Sequence, residues 1–330
     1  MARAVAQRAA ILFILGWPMS LWADDDPGEL RIYPTHGSPT HVLLQGRHLE
    51  NEGIRAAKPG DGRLRNFVRA AKELESDEIE GSLIRVTVAG QTFEARTDDD
   101  GLFRIEATLT TPLAPGPTPV VAQAVEDRGH PTPPALGTVY ILPATPSVAV
   151  ISDFDDTVAV SHITSKRAMV RTALLENATQ VQAVAGGPEA YRRALAAGAV
   201  AVFYVSGSPQ NFINRIKDFL DYNGYPQGPI ELKNFGSDPT FNQAAYKPAR
   251  LQAILDAHPN TRFVLVGDSS EHDPEIFRAL RDLQPTRILG IVIRQVPEAD
   301  NRPERFVGTV VVPDFAGDPD VLARLLKPGP

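Results

Sequence analysis

The chain has 330 residues, 43% hydrophobic and 22% charged, which is enough to bury a sizeable core and unlike a disordered segment. Its formal charge of -7 leaves no basic excess to displace counterions, which argues against nucleic acid as a partner. It has no cysteine, so disulfides and a lipid on an N-terminal cysteine are excluded and stability must come from packing.

Residues 1–23 have the layout of a signal peptide. Arg3 and Arg8 give a positive start, Ala9 to Trp22 is apolar, and Ala23 precedes Asp24-Asp25-Asp26. The run is short for a membrane span and contains Pro18, although an uncleaved anchor is the alternative reading. The expectation is an exported protein, periplasmic or secreted.

Residues 24–142 read as a small β-sandwich. Val42-Leu43-Leu44-Gln45-Gly46, the alternating Leu83 to Val88, Phe93 to Thr97, Leu102 to Ile105, Val120 to Val125 and Thr138 to Ile141 are strand-like. Asp98-Asp99-Asp100-Gly101 between two alternating runs predicts a hairpin. The stretch Thr97 to Phe103 resembles a turn of carboxypeptidase-regulatory-like and transthyretin-like sandwiches. Apolar residues recurring at three- and four-residue steps predict one helix, Leu64 to Leu74. His36, His41, His48 and His130 lack metal-ligand spacing and read as structural or exposed.

Residues 143–147, proline-rich, read as a linker. In residues 148–330 the rhythm becomes strand, loop, helix. Val148 to Ile151, Val200 to Val205, Phe263 to Val266 and Ile288 to Ile293 are continuous apolar runs. Helical patterns fall at Glu189 to Ala197, Gln210 to Asn223, Lys247 to Ala257 and Pro274 to Leu283. This is the pattern of an α/β fold with a parallel sheet covered on both faces, whose chemistry lies beyond the carboxyl ends of its strands.

Those ends carry the informative residues. Asp153-Phe154-Asp155-Asp156-Thr157 places two carboxylates two residues apart, the spacing needed for one to attack phosphorus and the other to lend and recover a proton. Ser206-Gly207-Ser208-Pro209 offers a hydroxyl and nearby backbone N–H groups to a phosphoryl oxygen. Lys247 opens a predicted helix with Pro248 in its first turn. Gly267-Asp268 to Asp273 supplies carboxylates suited to a hard cation such as Mg²⁺.

This order, Asp-x-Asp-x-Thr, then Ser, Lys and Gly-Asp-x4-Asp, resembles the four motifs of the haloacid dehalogenase superfamily. More narrowly, Ile151 to Thr157, Tyr204 to Pro209, Lys247, Val266 to Ser269, Asp273 to Ile276 and Ile293-Arg294 resemble the catalytic domain of actin-patch-type phosphatidate phosphatases. The similarity runs from about Ser147 to Phe315, with Gln210 standing where the fungal family has an aromatic residue.

The resemblance implies a haloacid-dehalogenase-like Rossmannoid sheet with a small cap or flap. It implies Asp153 as nucleophile and Mg²⁺ ligand, and Asp155 as acid and base that also gives the metal its backbone carbonyl. Ser206 would hold the phosphoryl group, Lys247 neutralise charge, Asp268 complete the metal site and Asp273 orient from close by. Thr157 would fix the loop. The second aspartate separates phosphatases from dehalogenases, and phosphomonoester hydrolysis is the implied reaction.

Phosphatidate or lysophosphatidate at a membrane surface follows from the resemblance alone. A soluble phosphomonoester, or a non-catalytic binding module on the same fold, are the alternatives. The acidic balance and the lack of a basic amphipathic helix argue against tight adsorption to anionic lipid. His162, Lys166, Arg167 and Arg171 either line the site's entrance or form a solvated helix face, the two last sharing a side if helical.

Overall fold

The computed structural model describes residues 27–75, 77–160, 175–234 and 243–327. The signal segment and the four entrance candidates lie outside them. Among the described residues no helix is long and apolar enough to cross a membrane.

The architecture is mixed α/β. Its first part is an eight-stranded sheet: β1 (Gly28–Ile32), β2 (Thr35–Ser38), β3 (His41–Glu50), β4 (Leu83–Val88), β5 (Gln91–Arg96), β6 (Leu102–Thr108), β7 (Gly116–Glu126) and β8 (Ala135–Ile141). The pairing is antiparallel except between β2 and β8. Leu44, Ile84, Val86, Phe103, Val120 and Val139 fill one core inside it.

The hairpin predicted at Asp98 to Gly101 is not formed. β5 pairs with β4, whereas β6 pairs with β3. The Asp98 carboxylate instead accepts the backbone N–H groups of Asp100 and Leu102, and Gly101, at φ 66°, passes so close to the His48 carbonyl that a Cβ would sit 2.5 Å from it. The turn therefore hands the chain across to β3. A tight hairpin forms instead at Ala89-Gly90, both with positive φ, as the right-handed twist of paired strands favours.

The second part is a six-stranded parallel sheet of β9 (Ser147–Asp153), β12 (Ala199–Pro209), β13 (Ile230–Lys233), β14 (Thr261–Asp268), β15 (Ile288–Arg294) and β16 (Val310–Val312), in the order β13-β12-β9-β14-β15-β16. The four apolar runs form its centre, while β13 and β16 are too short to announce themselves in sequence. Alternate residues serve opposite faces. Val150, Tyr204 and Val264 pack with the helices α2 (Gly187–Ala196), α3 (Ile213–Asn223) and α6 (Val321–Leu326). Ile151, Phe203 and Leu265 pack with α4 (Gln243–Ala257) and α5 (Asp273–Leu283).

The chain moves from β9 to β12 and β13 on one side, then returns to β14 on the other. β9 and β14 therefore flank a topological switch point, where such sheets open a crevice. β10 (Ala159–Val160) and β11 (Gln182–Ala183) form a small antiparallel flap after the first motif.

The remaining helix, α1 (Arg63–Glu75), precedes β4 and joins the two parts. Asn66 donates Nδ2 to the Leu175 carbonyl at 2.9 Å, and Asn211 Nδ2 donates to the Glu73 carbonyl at 2.9 Å. On the opposite side, His36 of β2 shares a 2.9 Å hydrogen bond with His258.

Candidate active site

β9 carries Asp153 to the sheet's carboxyl edge, where it is 4% exposed. The chain then tightens. Val158 and Ala159 both donate their N–H groups to the Phe154 carbonyl, and Asp156 takes a left-handed φ of 54°. Such a φ costs a non-glycine residue energy, so something must hold it. Arg294, at the end of β15, donates Nη1 to the Asp156 carbonyl at 2.6 Å.

The turn sends Asp155 toward the neighbouring strand. Ser206, almost fully buried at the end of regular pairing in β12, donates Oγ to Asp155 Oδ2 at 2.8 Å. Ser208 donates its backbone N–H to the Ser206 oxygen at 3.0 Å, so Gly207 is the pivot of a hydroxyl-and-amide cradle. Burial pushes the Asp155 carboxyl above its ordinary pKa, while the Ser206 hydrogen bond opposes it.

Lys247 comes from α4. The chain is already helical at Gln243, a turn before the sequence predicts, so Pro248 lies in the body of the helix rather than its first turn. The buried ammonium lies 2.8 Å from Asp153 Oδ1, bonds Asp273 Oδ1, and reaches Glu271 Oε2 at 3.4 Å. Burial works against its charge, but Asp153, Asp273 and Glu271 outweigh that and hold its pKa well above the usual lysine value.

β14 ends at Asp268, which is fully buried. Ser270 donates both its hydroxyl and its backbone N–H to Asp268 Oδ1, the latter at 2.6 Å. Thr157 Oγ1 lies 3.5 Å from Asp268 Oδ2, tying the first motif's loop to the last. Asp273, the first residue of α5, accepts the Asp268 N–H on Oδ2 at 3.3 Å. Gly267 makes that approach possible, since a Cβ there would lie 2.3 Å from Asp273 Oδ2.

Asp153, Asp268 and Asp273 each offer an oxygen within 4.8 Å of the others. All three pKa values are raised, chiefly by burial, with Lys247 pulling them down and nearby carboxylates (Glu271 in the case of Asp273) adding to the rise; Asp268 is pushed up to about 7. Three buried carboxylates facing one ammonium are a surplus of negative charge, which is costly away from water unless a cation offsets it. Oxygen ligands at this spacing suit a hard divalent ion.

The structure thus brings together all eight residues singled out in the sequence. One placement differs in detail: Asp273 stands inside the carboxylate group, not beside it. The Asp155 side chain turns toward Ser206. Sequence reasoning missed Ser270 and Arg294 as supports; a serine two residues past a strand-end aspartate was the available signal for the first. It also missed Arg47 of β3, whose Nη1 reaches Asn211, just past the Ser206 loop, at 3.2 Å.

Comparison with known proteins places the same region in context. Residues 148–295 match the family model described as "Phosphatidate phosphatase APP1, catalytic domain". Over 196 residues the chain is 32% identical to phosphatidate phosphatase APP1 of Saccharomyces cerevisiae, covering 58% of this chain and 31% of that protein. It is 28% identical over 156 residues to an uncharacterized Schizosaccharomyces pombe protein, covering 45% of this chain and 25% of the other. The chain therefore spans less than a third of the length of these curated relatives.

Among solved structures, a Pnkp1/Rnl/Hen1 complex aligns with 16% identity and a TM-score of 0.33, covering 46% of each chain. A Xanthomonas citri carbohydrate acetylesterase aligns with 9% identity and a TM-score of 0.34, covering 90% of this chain and 73% of that one. Likenesses this weak carry no argument. The similarity expected from the motifs is found in the family model and the yeast enzyme, and it is a similarity to a catalytic domain.

Proposed function

We propose that the chain is a Mg²⁺-dependent phosphomonoester hydrolase of haloacid dehalogenase type, acting on phosphatidate or lysophosphatidate through an aspartyl-phosphate on Asp153. Residues 148–330 are its catalytic domain, residues 24–142 a β-sandwich, 143–147 the linker and 1–23 an export signal. The observation that carries the reading is the pairing of two aspartates two residues apart with different partners: Asp153 on Lys247 and Asp155 on Ser206.

Each residue then has a task. The Asp153 carboxylate attacks phosphorus, and the bond from phosphorus to the leaving oxygen breaks. Asp155, whose raised pKa favours the protonated form, gives that oxygen its proton. Asp155, now ionised, takes a proton from water as the water attacks the phosphoryl group. The acyl phosphate opens, releasing inorganic phosphate and restoring Asp153. Ser206 and the Ser208 N–H steady the phosphoryl oxygens, and Lys247 offsets the charge of nucleophile and phosphate.

Mg²⁺ held by Asp153, Asp268 and Asp273, with the Asp155 carbonyl, would shield the phosphate's charge from the attacking carboxylate. The test is phosphate release from phosphatidate micelles and from soluble phosphomonoesters, with Mg²⁺ and with EDTA, beside Asp153→Asn. Release that needs both Mg²⁺ and Asp153, and that prefers phosphatidate, supports the reading. A preference for soluble esters removes the lipid substrate, and an active Asp153→Asn removes the mechanism.

A further inference from the structure

Helix α1 buries only part of its apolar stripe: Ala70 is buried and Phe67 and Leu74 are half-buried, while the first turn leaves apolar residues outside. Asn66 and Arg69 face inward: Asn66 is buried, and Arg69 bonds Asp61 and, at 2.9 Å, Asn66 Oδ1. The outward face carries Leu64, 78% exposed, and Val68, 40% exposed and one turn further along. Single exposed apolar side chains are common on protein surfaces, Leu136 and Leu283 of this chain among them, but Leu64 and Val68 are adjacent on one face.

The surrounding charge says what covers them. From Ile54 to Lys72 the chain has six basic residues, Arg55, Lys58, Arg63, Arg65, Arg69 and Lys72, against Asp61, with Glu50, Glu52, Glu73 and Glu75 just outside this stretch. Asp61 is buried, while Arg55, Lys58, Arg63 and Arg65 are exposed. The exposed charges of residues 54–72 are therefore all basic, in a chain of net charge -7. Contrary to the expectation of no basic amphipathic helix, an apolar ridge with basic flanks here has the composition of a helix that lies in the surface of an anionic bilayer.

The position fits as well. α1 packs on residues 210–212, directly after the Ser206 loop, through the Asn211–Glu73 bond. A cavity of ≈ 150 Å³ lies between α1 and α3, lined by Asn66, Arg69, Glu73, Asn211 and Arg215. The geometry points to the outer face of α1 as a docking surface for an anionic lipid bilayer, with Leu64 and Val68 at the acyl boundary and the exposed Arg55, Lys58 and Arg63 on the headgroups. Docking itself stands apart from the chemistry; that it delivers a lipid phosphomonoester to Asp153 rests on the function proposed above.

The experiment is sedimentation of the full chain with phosphatidylcholine vesicles and with vesicles containing phosphatidylglycerol, an anionic lipid that is not a phosphomonoester. Leu64→Ser/Val68→Ser and Lys58→Glu/Arg63→Glu alter exposed side chains only. The apolar run near the N-terminus is common to all forms, so differences report on α1. The wild type should prefer the anionic vesicles, and each variant should bind them about tenfold more weakly while hydrolysing p-nitrophenyl phosphate as before. Equal binding by wild type and variants overturns the proposal, as does a wild type indifferent to lipid charge. So does a lipid-free dimer that the serine variant abolishes. A protein that binds the anionic vesicles through α1 but hydrolyses no phosphomonoester supports the docking surface while removing the phosphatase reading.

Discussion

The Lys247 ammonium lies 2.8 Å from Asp153 Oδ1 with both residues buried, although one belongs to a helix and the other to the central strand. Removing one partner of a buried pair leaves the other uncompensated, at a cost of about 3 kcal/mol or more. Here the remaining carboxylates, already raised in pKa, would take up protons instead. Lys247→Met is therefore expected to lower turnover at least ~100-fold. Its denaturation midpoint should recover as pH falls toward 5, because protonation removes the unpaired charge. Full activity in this variant would contradict the role given to Lys247.

Ser270 donates two hydrogen bonds to one oxygen of Asp268. Ser270→Ala removes the side-chain bond and leaves the carboxylate freer to turn. Supports of this kind commonly cost about 10- to 100-fold in metal affinity when lost. Calorimetric titration with Mg²⁺ should show the loss, with little change in the thermal midpoint.

Gly267→Ala places a methyl group 2.3 Å from Asp273 Oδ2 and 2.6 Å from Phe277. Asp273 must move, which breaks its bonds to Lys247 and to the Asp268 N–H. The expected result is a destabilisation of about 1–3 kcal/mol in urea titration, together with lost Mg²⁺ binding. Unchanged Mg²⁺ binding would show that Asp273 is not a ligand.

Two buried histidines set a pH dependence of stability. Burial, followed by the neighbouring His36, pushes His258 down to about 3, and burial with His130 pushes His48 down to about 4. Below about pH 6.5 the unfolded chain binds protons at these rings and the folded chain does not. Their contribution is therefore complete above that pH and declines as pH falls toward 4, by up to about 1.4 kcal/mol per unit per ring. The raised carboxyls of the catalytic cluster act in the opposite sense. A His48→Gln/His258→Gln variant keeps those carboxyls, so its urea stability between pH 7 and 5 should fall less steeply than that of the wild type.

The central sheet was legible because its strands are buried on both faces and read as unbroken apolar runs, as in Val148 to Ile151 and Phe263 to Val266. The site was legible for a related reason: Asp153, Ser206 and Asp268 each follow such a run, and a parallel sheet brings those ends together. The outward face of α1 was not. Periodicity shows that Leu64 and Val68 share a side but does not show which side is buried. The partner of β6 was hidden too, since the turn at Gly101 is decided by its approach to the His48 carbonyl, far off in sequence. Arg47 and Asn211 meet only through the docking of the two parts.

The most direct test of the mechanism is to trap the intermediate. The wild type, quenched in acid during turnover with Mg²⁺ and phosphatidate, would be treated with borohydride, which reduces an acyl phosphate to the alcohol. Peptide mass spectrometry should then find homoserine at position 153 and aspartate at 155, 268 and 273. Turnover with unmodified aspartate at 153, or homoserine at 155 instead, would contradict Asp153 as the nucleophile.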